Sequence, residues 1–130
     1  MGHVVVHVPV PTPALWALVE PLLAPSIARA DGDTVESVGE AVLQGHAHLW
    51  MIADKAALVT RLIVTKDGPA LEYWHLGGTD ARSWFGEMVE TIESEARRIG
   101  CVKAVAACRL GWKRLAKDYR PVAVMIEKRL

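Results

Sequence analysis

The sequence lacks several features that would point to particular classes of protein. Its 15 Lys and Arg residues balance 15 Asp and Glu residues, so the formal net charge is zero. Proteins that bind nucleic acid by neutralising phosphates usually carry a basic excess, which disfavours that class here. The apolar runs are far shorter than the ~20 residues that span a bilayer. The N-terminus shows no basic segment followed by an apolar run, so we expect no signal peptide and no membrane partner.

Cysteine and clustered metal ligands are also scarce. Cys101 and Cys108 lie in one predicted strand, where their separation of roughly 23 Å is too long for a disulfide. We therefore expect both thiols to be reduced and buried. His46 and His48 share one face of a predicted strand and could contact a metal ion, but no third ligand follows at a characteristic spacing. We predict no metal site.

What the sequence does contain is sufficient for one hydrophobic core. Hydrophobic residues make up 52% of the 130 residues and charged residues 23%, which excludes wholesale disorder. We expect residues 1–130 to form a single domain. The aromatic content is skewed, because five Trp accompany two Tyr and one Phe. The indoles of Trp74, Trp84 and Trp112 fall near one predicted connection between a strand and a helix.

The N-terminal segment predicts a strand followed by a helix. Residues 3–8 alternate Val with other residues, which is the pattern of a strand. Thr12 followed by Pro13 predicts a helix N-cap with proline at the first helical position. Pro21 and Pro25 each remove a backbone hydrogen bond, so we expect them to stop or kink this helix.

A second helix and the sheet are expected to follow. Asp33 and Glu36 have the spacing of a capping box, and Gly45 has the position of a C-terminal stop. Later elements follow from apolar periodicity: strands at about 46–53, 57–65 and 70–76, a helix from Asp80 to Gly100, a strand at 101–108, a helix at 110–118 and a strand at 122–127. The two helical crossovers imply locally parallel strands. We predict a mixed α/β (α+β) layer of about six strands and about four helices.

Four short blocks and the order of elements carry a family resemblance. The blocks are Gly77-Gly78-x-Asp80-x-x-x-Trp84, Ile92-Glu93-x-x-Ala96-Arg97, Gly100-Cys101 and Arg109-x-Gly111-Trp112-x-x-Leu115. They resemble small GNAT-like proteins encoded by tailed bacteriophages. The order of elements resembles the wider GNAT superfamily of acyl-CoA N-acyltransferases over most of the chain. The resemblance implies a GNAT-like mixed central sheet flanked by helices.

The resemblance also implies a site for acetyl-CoA. In the superfamily the fourth strand splays from the fifth, and the cofactor enters the gap. Strand backbone binds the pantetheine arm, and amides at the next helix N-terminus bind the pyrophosphate, as helix termini suit anions. The positions that correspond in this sequence are Tyr73, Trp74, Leu76, Gly77, Gly78, Thr79 and Arg82.

The usual cofactor loop, Arg/Gln-x-x-Gly-x-Gly/Ala, is missing from this sequence. Gly77-Gly78 leads at once into Thr79-Asp80, which would equally suit a helix cap. Arg82 is expected to be the only nearby cation. An open gap would favour acyl-CoA, whereas a gap filled by Trp74 or Trp84 would exclude it.

His75 is the candidate general base. Its ordinary pKa near 6.5 suits a base at neutral pH, and it ends the strand beside the expected gap. Glu72 and Asp80 are the other candidates; a regular strand would place Glu72 and His75 on opposite faces. The Tyr that many GNAT enzymes use as general acid is not found, because its position falls near Arg114, which cannot release a proton. Tyr119 is expected to pack against the last strand.

Two functions follow from these features. The first is a GNAT-like phage protein that acts as an acyl-CoA-dependent N-acetyltransferase with a degenerate cofactor loop, on an amine that the sequence does not specify. The alternative is a non-catalytic virion or assembly protein of a tailed phage that keeps the fold and contacts other phage structural proteins or its own copies. Both imply a soluble protein in the host cytoplasm or the virion. The missing loop and Tyr favour the second function, and the order of elements favours the first.

Overall fold

A computed structural model describes residues 4–108 and 110–130. The elements follow one another in the order β1, α1, α2, β2, β3, β4, α3 and β5, and a single 3-10 helix follows β5. Their bounds are β1 Val5–His7, α1 Pro13–Arg29, α2 Val35–Leu43, β2 His48–Ile52, β3 Ala56–Thr65, β4 Gly68–Gly78, α3 Ala81–Arg98, β5 Lys103–Ala106 and the 3-10 helix Leu110–Arg114.

The strands form one mixed sheet in the order β1-β2-β3-β4-β5. Neighbours from β1 to β4 are antiparallel, and the predicted turn at Asp67-Gly68 joins β3 to β4. β5 runs parallel to β4, because α3 carries the chain back to the end at which β4 began. The predicted mixed α+β architecture is confirmed, with five strands and three α-helices in the described residues.

Helix α1 begins as predicted but does not end where its prolines suggested. The Thr12 hydroxyl accepts a hydrogen bond from the Leu15 amide at 3.1 Å, and Pro13 is the first helical residue. The prediction of a stop at the prolines is wrong, since the helix continues through Pro21 and Pro25. Burial of one face explains this continuity: Trp16, Val19, Leu23 and Ile27 are all buried against the sheet. Their packing offsets the missing backbone hydrogen bonds.

Helix α2 is capped one residue later than predicted. The Thr34 hydroxyl accepts from the Ser37 amide at 3.0 Å, and the Ser37 hydroxyl accepts from the Thr34 amide at 2.9 Å. This reciprocal pair is a capping box, so the prediction of Asp33 and Glu36 in that role is wrong. The Asp33 carboxylate instead binds side chains of β4. Gly45 follows the helix with a φ of +80°, as expected for its end.

Two hydrophobic cores cover opposite faces of the sheet. The first joins α1 and α2 to the sheet through Trp16, Val19, Leu23, Ile27, Val38, Val42, Leu49 and Val59. The second lies under α3 and includes Trp50, Ile52, Leu58, Leu71, Trp84, Met88 and Ile92. Neighbouring residues of β3 therefore face different cores, as their alternation predicts.

The C-terminal part departs most from the predictions. The expected helix at 110–118 is only the 3-10 helix Leu110–Arg114, and β5 is shorter than the predicted strand at 101–108. The strand expected at 122–127 does not form, so that prediction is wrong. Val122, Val124, Met125 and Ile126 are exposed instead. A strand needs hydrogen bonds from a neighbour, and no strand of the described residues pairs with this segment.

Two further predictions concern cysteine and membranes. Cys101 and Cys108 are both free thiols, but the prediction that they are buried is wrong, since the first is half-buried and the second is exposed. Across the described residues, no helix combines the length and apolar character needed to cross a bilayer.

Candidate functional site

Pairing between β4 and β5 ends where the resemblance placed a gap between these strands. Parallel pairing runs from Ala70 opposite Lys103 to Tyr73 opposite Ala106, and β5 ends there. β4 continues to Gly78, still paired with β3. From Trp74 onward, the edge of β4 that faces away from β3 therefore has no strand beside it in the described chain. Backbone groups on such an edge are available to a ligand.

A β-bulge lies at the start of this gap. Val59 is opposite His75 and Thr60 is opposite Tyr73, so Trp74 is an extra residue in β4. Such an insertion interrupts the alternation of side chains and locally bends the strand. Tyr73 packs against the α3 core, and Trp74 packs against the α1–α2 core.

The bulge places neighbouring side chains on the same face. His75 bonds to groups of α1 and the α1–α2 loop, so it shares the face of Trp74. Glu72 pairs with Arg61, whose guanidinium carbon lies 4.1 Å from the Trp74 ring centroid. The prediction that Glu72 and His75 lie on opposite faces is thus wrong, because the bulge inserts one residue between them.

His75 is held by hydrogen bonds to two other elements. Its Nδ1 lies 2.9 Å from the Ser26 hydroxyl of α1, and its Nε2 lies 2.9 Å from the Asp33 carboxylate. The Trp74 indole N–H donates to the same Asp33 oxygen at 3.0 Å. Only 3% of His75 is exposed. The predicted general base is therefore buried, with both ring nitrogens engaged.

The electrostatics of this cluster favour a neutral imidazole. Burial lowers the pKa of His75, and hydrogen bonding and attraction by Asp33 oppose that shift. Arg61 lowers this pKa further and Glu72 raises it. Because a carboxylate only accepts hydrogen bonds, Nε2 of the neutral ring carries the proton and donates to Asp33. Nδ1 is left to accept from the hydroxyl of Ser26.

Sequence reasoning missed both partners of His75. Asp33 was assigned to a helix cap, and Ser26 lies on a helix that was expected to stop or kink at Pro25. The sequence did contain one signal, because Thr34 is also a good N-cap residue. Assigning the cap to Thr34 would have left the Asp33 side chain available for a contact elsewhere.

The two glycines after His75 are required by close packing. A Cβ on Gly77 would lie 1.8 Å from the Leu22 carbonyl oxygen of α1. Gly78 has a φ of +152°, and its Cβ would lie 2.4 Å from the Lys55 carbonyl oxygen. The Thr79 amide then donates to that carbonyl oxygen at 3.0 Å. This segment therefore joins α1, the β2–β3 turn and the start of α3.

Asp80 occupies the N-cap position of α3 without bonding to the helix amides through its side chain. Its φ is +59°, and no side-chain capping bond is formed. Its carboxylate instead lies 3.3 Å from the Lys55 ammonium group. The Asp80 side chain therefore does not cap α3 as the sequence suggested, because its carboxylate is directed toward Lys55.

A cleft of about 770 Å³ lies between the first turn of α3 and the 3-10 helix. Its lining includes Arg82, Arg114 and Lys117 together with Asp80, Phe85 and Gly111. The expectation that Arg82 would be the only nearby cation is wrong, because Arg114 of the 3-10 helix and Lys117, which follows that helix, also line the cleft. The rings of Phe85 and Trp112 stack at 5.8 Å between centroids and hold this helix against α3.

Trp74 and Trp84, the two indoles that could have filled the gap, are held on opposite faces of the sheet. The Trp74 N–H binds Asp33 on the α1–α2 face. The Trp84 N–H donates to the Thr79 carbonyl oxygen at 2.7 Å, and its side chain is 1% exposed within the α3 core. Leu76 packs against that same core. Each of the two indoles is therefore engaged with the core on its own face of the sheet.

Two half-buried phenols lie where β4 and β5 stop pairing. The hydroxyls of Tyr73 and Tyr119 are 3.3 Å apart, and the Tyr119 hydroxyl donates to Glu93 of α3 at 2.8 Å. Burial raises the pKa of Tyr73 to about 12 and raises that of Tyr119 further. Both phenols are therefore protonated at neutral pH. Tyr119 does not pack against a last strand as predicted, since that strand is not formed.

The predicted histidine pair is not arranged as a strand pair. His46 precedes β2, whereas His48 lies within it with its ring 5.4 Å from that of His7. These two rings line a second groove of about 870 Å³ beside α3. Among the described residues, no group of three or more His, Cys, Asp or Glu side chains is placed to hold a metal ion.

Comparison with known proteins identifies the fold. No protein-family model and no curated protein matches the sequence. Among solved structures, a probable acetyltransferase is similar over 96% of this chain and 99% of its own, with 9% identity and a TM-score of 0.66. An aminoglycoside N-acetyltransferase in complex with CoA is similar over 100% and 97%, with 10% identity and a TM-score of 0.63.

A third solved structure extends the likeness to another kind of acetyltransferase. This ribosomal-protein-alanine N-acetyltransferase from Brucella melitensis biovar Abortus is similar over 99% of both chains, with 11% identity and a TM-score of 0.63. The chain therefore has a GNAT-like acetyltransferase fold. At such low identities the likeness concerns the fold alone.

Proposed function

We propose that this protein is an acyl-CoA-dependent N-acetyltransferase whose cofactor occupies the gap between β4 and β5. The observation that carries this proposal is the end of β4–β5 pairing at Tyr73, at the bulge, while β4 continues for five more residues. The gap leads toward the first turn of α3, beside the cation-lined cleft. The thioester of acetyl-CoA would lie in the gap, and the phosphate groups of the same molecule would lie at the cleft.

The cleft supplies cations in place of the missing cofactor loop. CoA is an anion with several phosphate groups, and Arg82, Arg114 and Lys117 line the cleft at the N-terminal end of α3. Guanidinium groups bind phosphates in bidentate geometry, and the helix dipole adds to their attraction. Asp80 is partly neutralised by Lys55, which reduces its repulsion of an anion. Net charge is zero, so this attraction is local.

The groups around the gap can serve the two proton transfers of acyl transfer. An amine nitrogen would attack the thioester carbonyl, the C–S bond would break, and the amine would lose a proton. We assign that proton to His75, reached through the Ser26 hydroxyl that binds its Nδ1. The leaving thiolate would take a proton from the phenols of Tyr73 and Tyr119, which are protonated at neutral pH.

Calorimetric titration with acetyl-CoA tests this proposal. We expect measurable heat, and we expect Arg82→Ala and Arg114→Ala to weaken binding by about tenfold each, since a charge-assisted phosphate contact contributes roughly 1.5 kcal/mol. Lys66→Ala is the matched control, because Lys66 is an exposed cation in the turn at the other end of β4. No heat at millimolar ligand, or equal losses in all three variants, would reject the cofactor site.

A non-catalytic role in a tailed-phage particle is the second candidate. It is favoured by the exposed apolar side chains of Val122, Val124, Met125 and Ile126, since such a segment suits contact with another protein. Recovery of the protein in gradient-purified particles at fixed stoichiometry would support it. Its absence from particles, together with turnover of acetyl-CoA and an amine, would favour the enzyme.

A further inference from the structure

We infer that Ser26 is a nucleophile, activated by His75 and Asp33, that accepts an acyl group from an activated ester or thioester. This activity differs from direct transfer to an amine, because the serine itself becomes acylated. It requires neither CoA nor the cleft at α3, so it stands or falls independently of the proposed cofactor site.

The arrangement has the order of groups that nucleophilic serine catalysis needs. Ser26 comes from α1, His75 from β4 and Asp33 from the α1–α2 loop, so three separate elements converge. The hydroxyl lies 2.9 Å from Nδ1, and the carboxylate lies 2.9 Å from Nε2 of the same ring. A nucleophile, a base within hydrogen-bond reach and a third group that orients the base define this type of site on many unrelated folds.

The surroundings fix the imidazole in the useful protonation state. Nε2–H donates to Asp33, so the lone pair of Nδ1 faces the serine hydroxyl. Asp33 is held in turn by the Trp74 indole. The charged groups that face His75 are Asp33 of the loop, Arg61 of β3 and Glu72 of β4. Burial and Arg61 favour a neutral ring, while the two carboxylates stabilise the imidazolium that forms when the serine loses its proton.

The site also has access to solvent. Ser26 is half-buried, and 24% of the Asp33 side chain is exposed, so a small ester can approach from the loop.

The reaction balances without any further reagent except water. The Ser26 oxygen attacks the acyl carbonyl carbon and passes its proton to Nδ1 of His75. The C–S or C–O bond to the leaving group breaks, and the leaving thiolate or phenolate takes that proton. Water then attacks the acyl-serine ester, which releases a carboxylic acid and restores the hydroxyl of Ser26.

Labelling with a fluorophosphonate tests whether the serine is reactive. We expect one phosphonyl adduct in the intact mass, mapped to the peptide that contains Ser26 and abolished in Ser26→Ala. Asp33→Asn should slow labelling by about 100-fold, because it removes the charge that orients and stabilises the base. Ser94→Ala is the control, since Ser94 is exposed on α3 outside this cluster, and it should label like the wild type.

A chromogenic aryl ester adds a second readout. With p-nitrophenyl acetate we expect a burst of one p-nitrophenolate per protein and an acetyl mass shift on Ser26. The labelling rate should rise with pH through a pKa below 6.5, as His75 loses its proton. Thermal melts of Ser26→Ala and Asp33→Asn establish that these variants are folded.

Three results would overturn the inference: no adduct on Ser26, equal labelling of Ser26 and Ser94, or an unchanged rate in Asp33→Asn. If Ser26→Ala lowers amine acetylation but the wild type never forms an adduct, Ser26 is only a proton relay. A labelled serine without calorimetric binding of acetyl-CoA would reject the proposed cofactor site and leave this inference intact.

Discussion

Replacement of Gly77 by alanine should separate α1 from β4. An added Cβ would lie 1.8 Å from the Leu22 carbonyl oxygen, 2.8 Å from its carbonyl carbon and 3.4 Å from the Leu23 Cα. The first distance must grow by about 1.6 Å to reach the 3.4 Å at which ordinary contact begins. All three obstacles are backbone atoms of a helix, so no side-chain rotation relieves the clash. The helix itself must move.

This movement would disturb the core between α1 and the sheet. Val19 and Leu23 on α1 are at most 1% exposed, as is Val59 on β3, so a shift of this size leaves gaps between side chains that are now closely packed. Overpacking alone costs about 1–3 kcal/mol, and a backbone obstacle places the loss at the upper end or above it. A loss of about 3 kcal/mol lowers the Tm of a domain of this size by roughly 10 °C.

Chemical and thermal denaturation measure this loss, and Gly86→Ala provides the matched control. Gly86 is a helical residue of α3 whose Cβ would meet no atom within 4 Å. Alanine has a higher helix propensity than glycine by about 1 kcal/mol, so this variant should be more stable. If Gly77→Ala melts within about 2 °C of the wild type, the close approach of α1 to β4 does not explain this glycine.

Three further predictions concern other contacts. Thr34→Ala should lower the free energy of unfolding by about 1 kcal/mol in urea titrations, because it removes the capping box of α2, whereas Glu36→Ala should have a smaller effect. Tyr119→Phe should cost about 1 kcal/mol, because the phenol donates to Glu93, and an unchanged midpoint would contradict that contact. Burial lowers the pKa of His75 below 6.5, so the unfolded chain takes up the proton at a higher pH than the folded chain does. The free energy of unfolding from urea titrations should therefore be highest above pH 6.5 and should decrease as the pH falls below that value. His75→Gln should show a smaller decrease over the same pH range.

Local signals were enough to predict those elements whose ends are fixed by neighbouring residues. Thr12 with Pro13 begins α1 as expected, and Asp67-Gly68 turns β3 into β4. Such signals failed where packing against residues distant in the sequence determines where an element ends. Pro25 does not end α1, because the helix face around it is buried against strands far away in the sequence.

The C-terminal segment shows the opposite failure. Residues 122–127 have the composition of a strand, but composition does not supply a partner for its backbone. In the described structure these residues are exposed and lie outside the sheet. The same limit applies to the cleft, since nothing local to Arg114 or Lys117 indicates that the chain brings both side chains to the cleft that Arg82 also lines.

The candidate site depends on one residue that no pattern of alternation predicts. In a regular β4, Tyr73 on the α3 face would place His75 on that face too, away from Ser26 and Asp33. The extra residue, Trp74, reverses this for all that follows, and the bulge lies where pairing with β5 ends. The insertion thus accounts for a histidine that faces α1, and its position coincides with the start of the unpaired edge of β4. Removal of the bulge is therefore expected to turn His75 away from Ser26 and Asp33, whereas the cations of the cleft would remain.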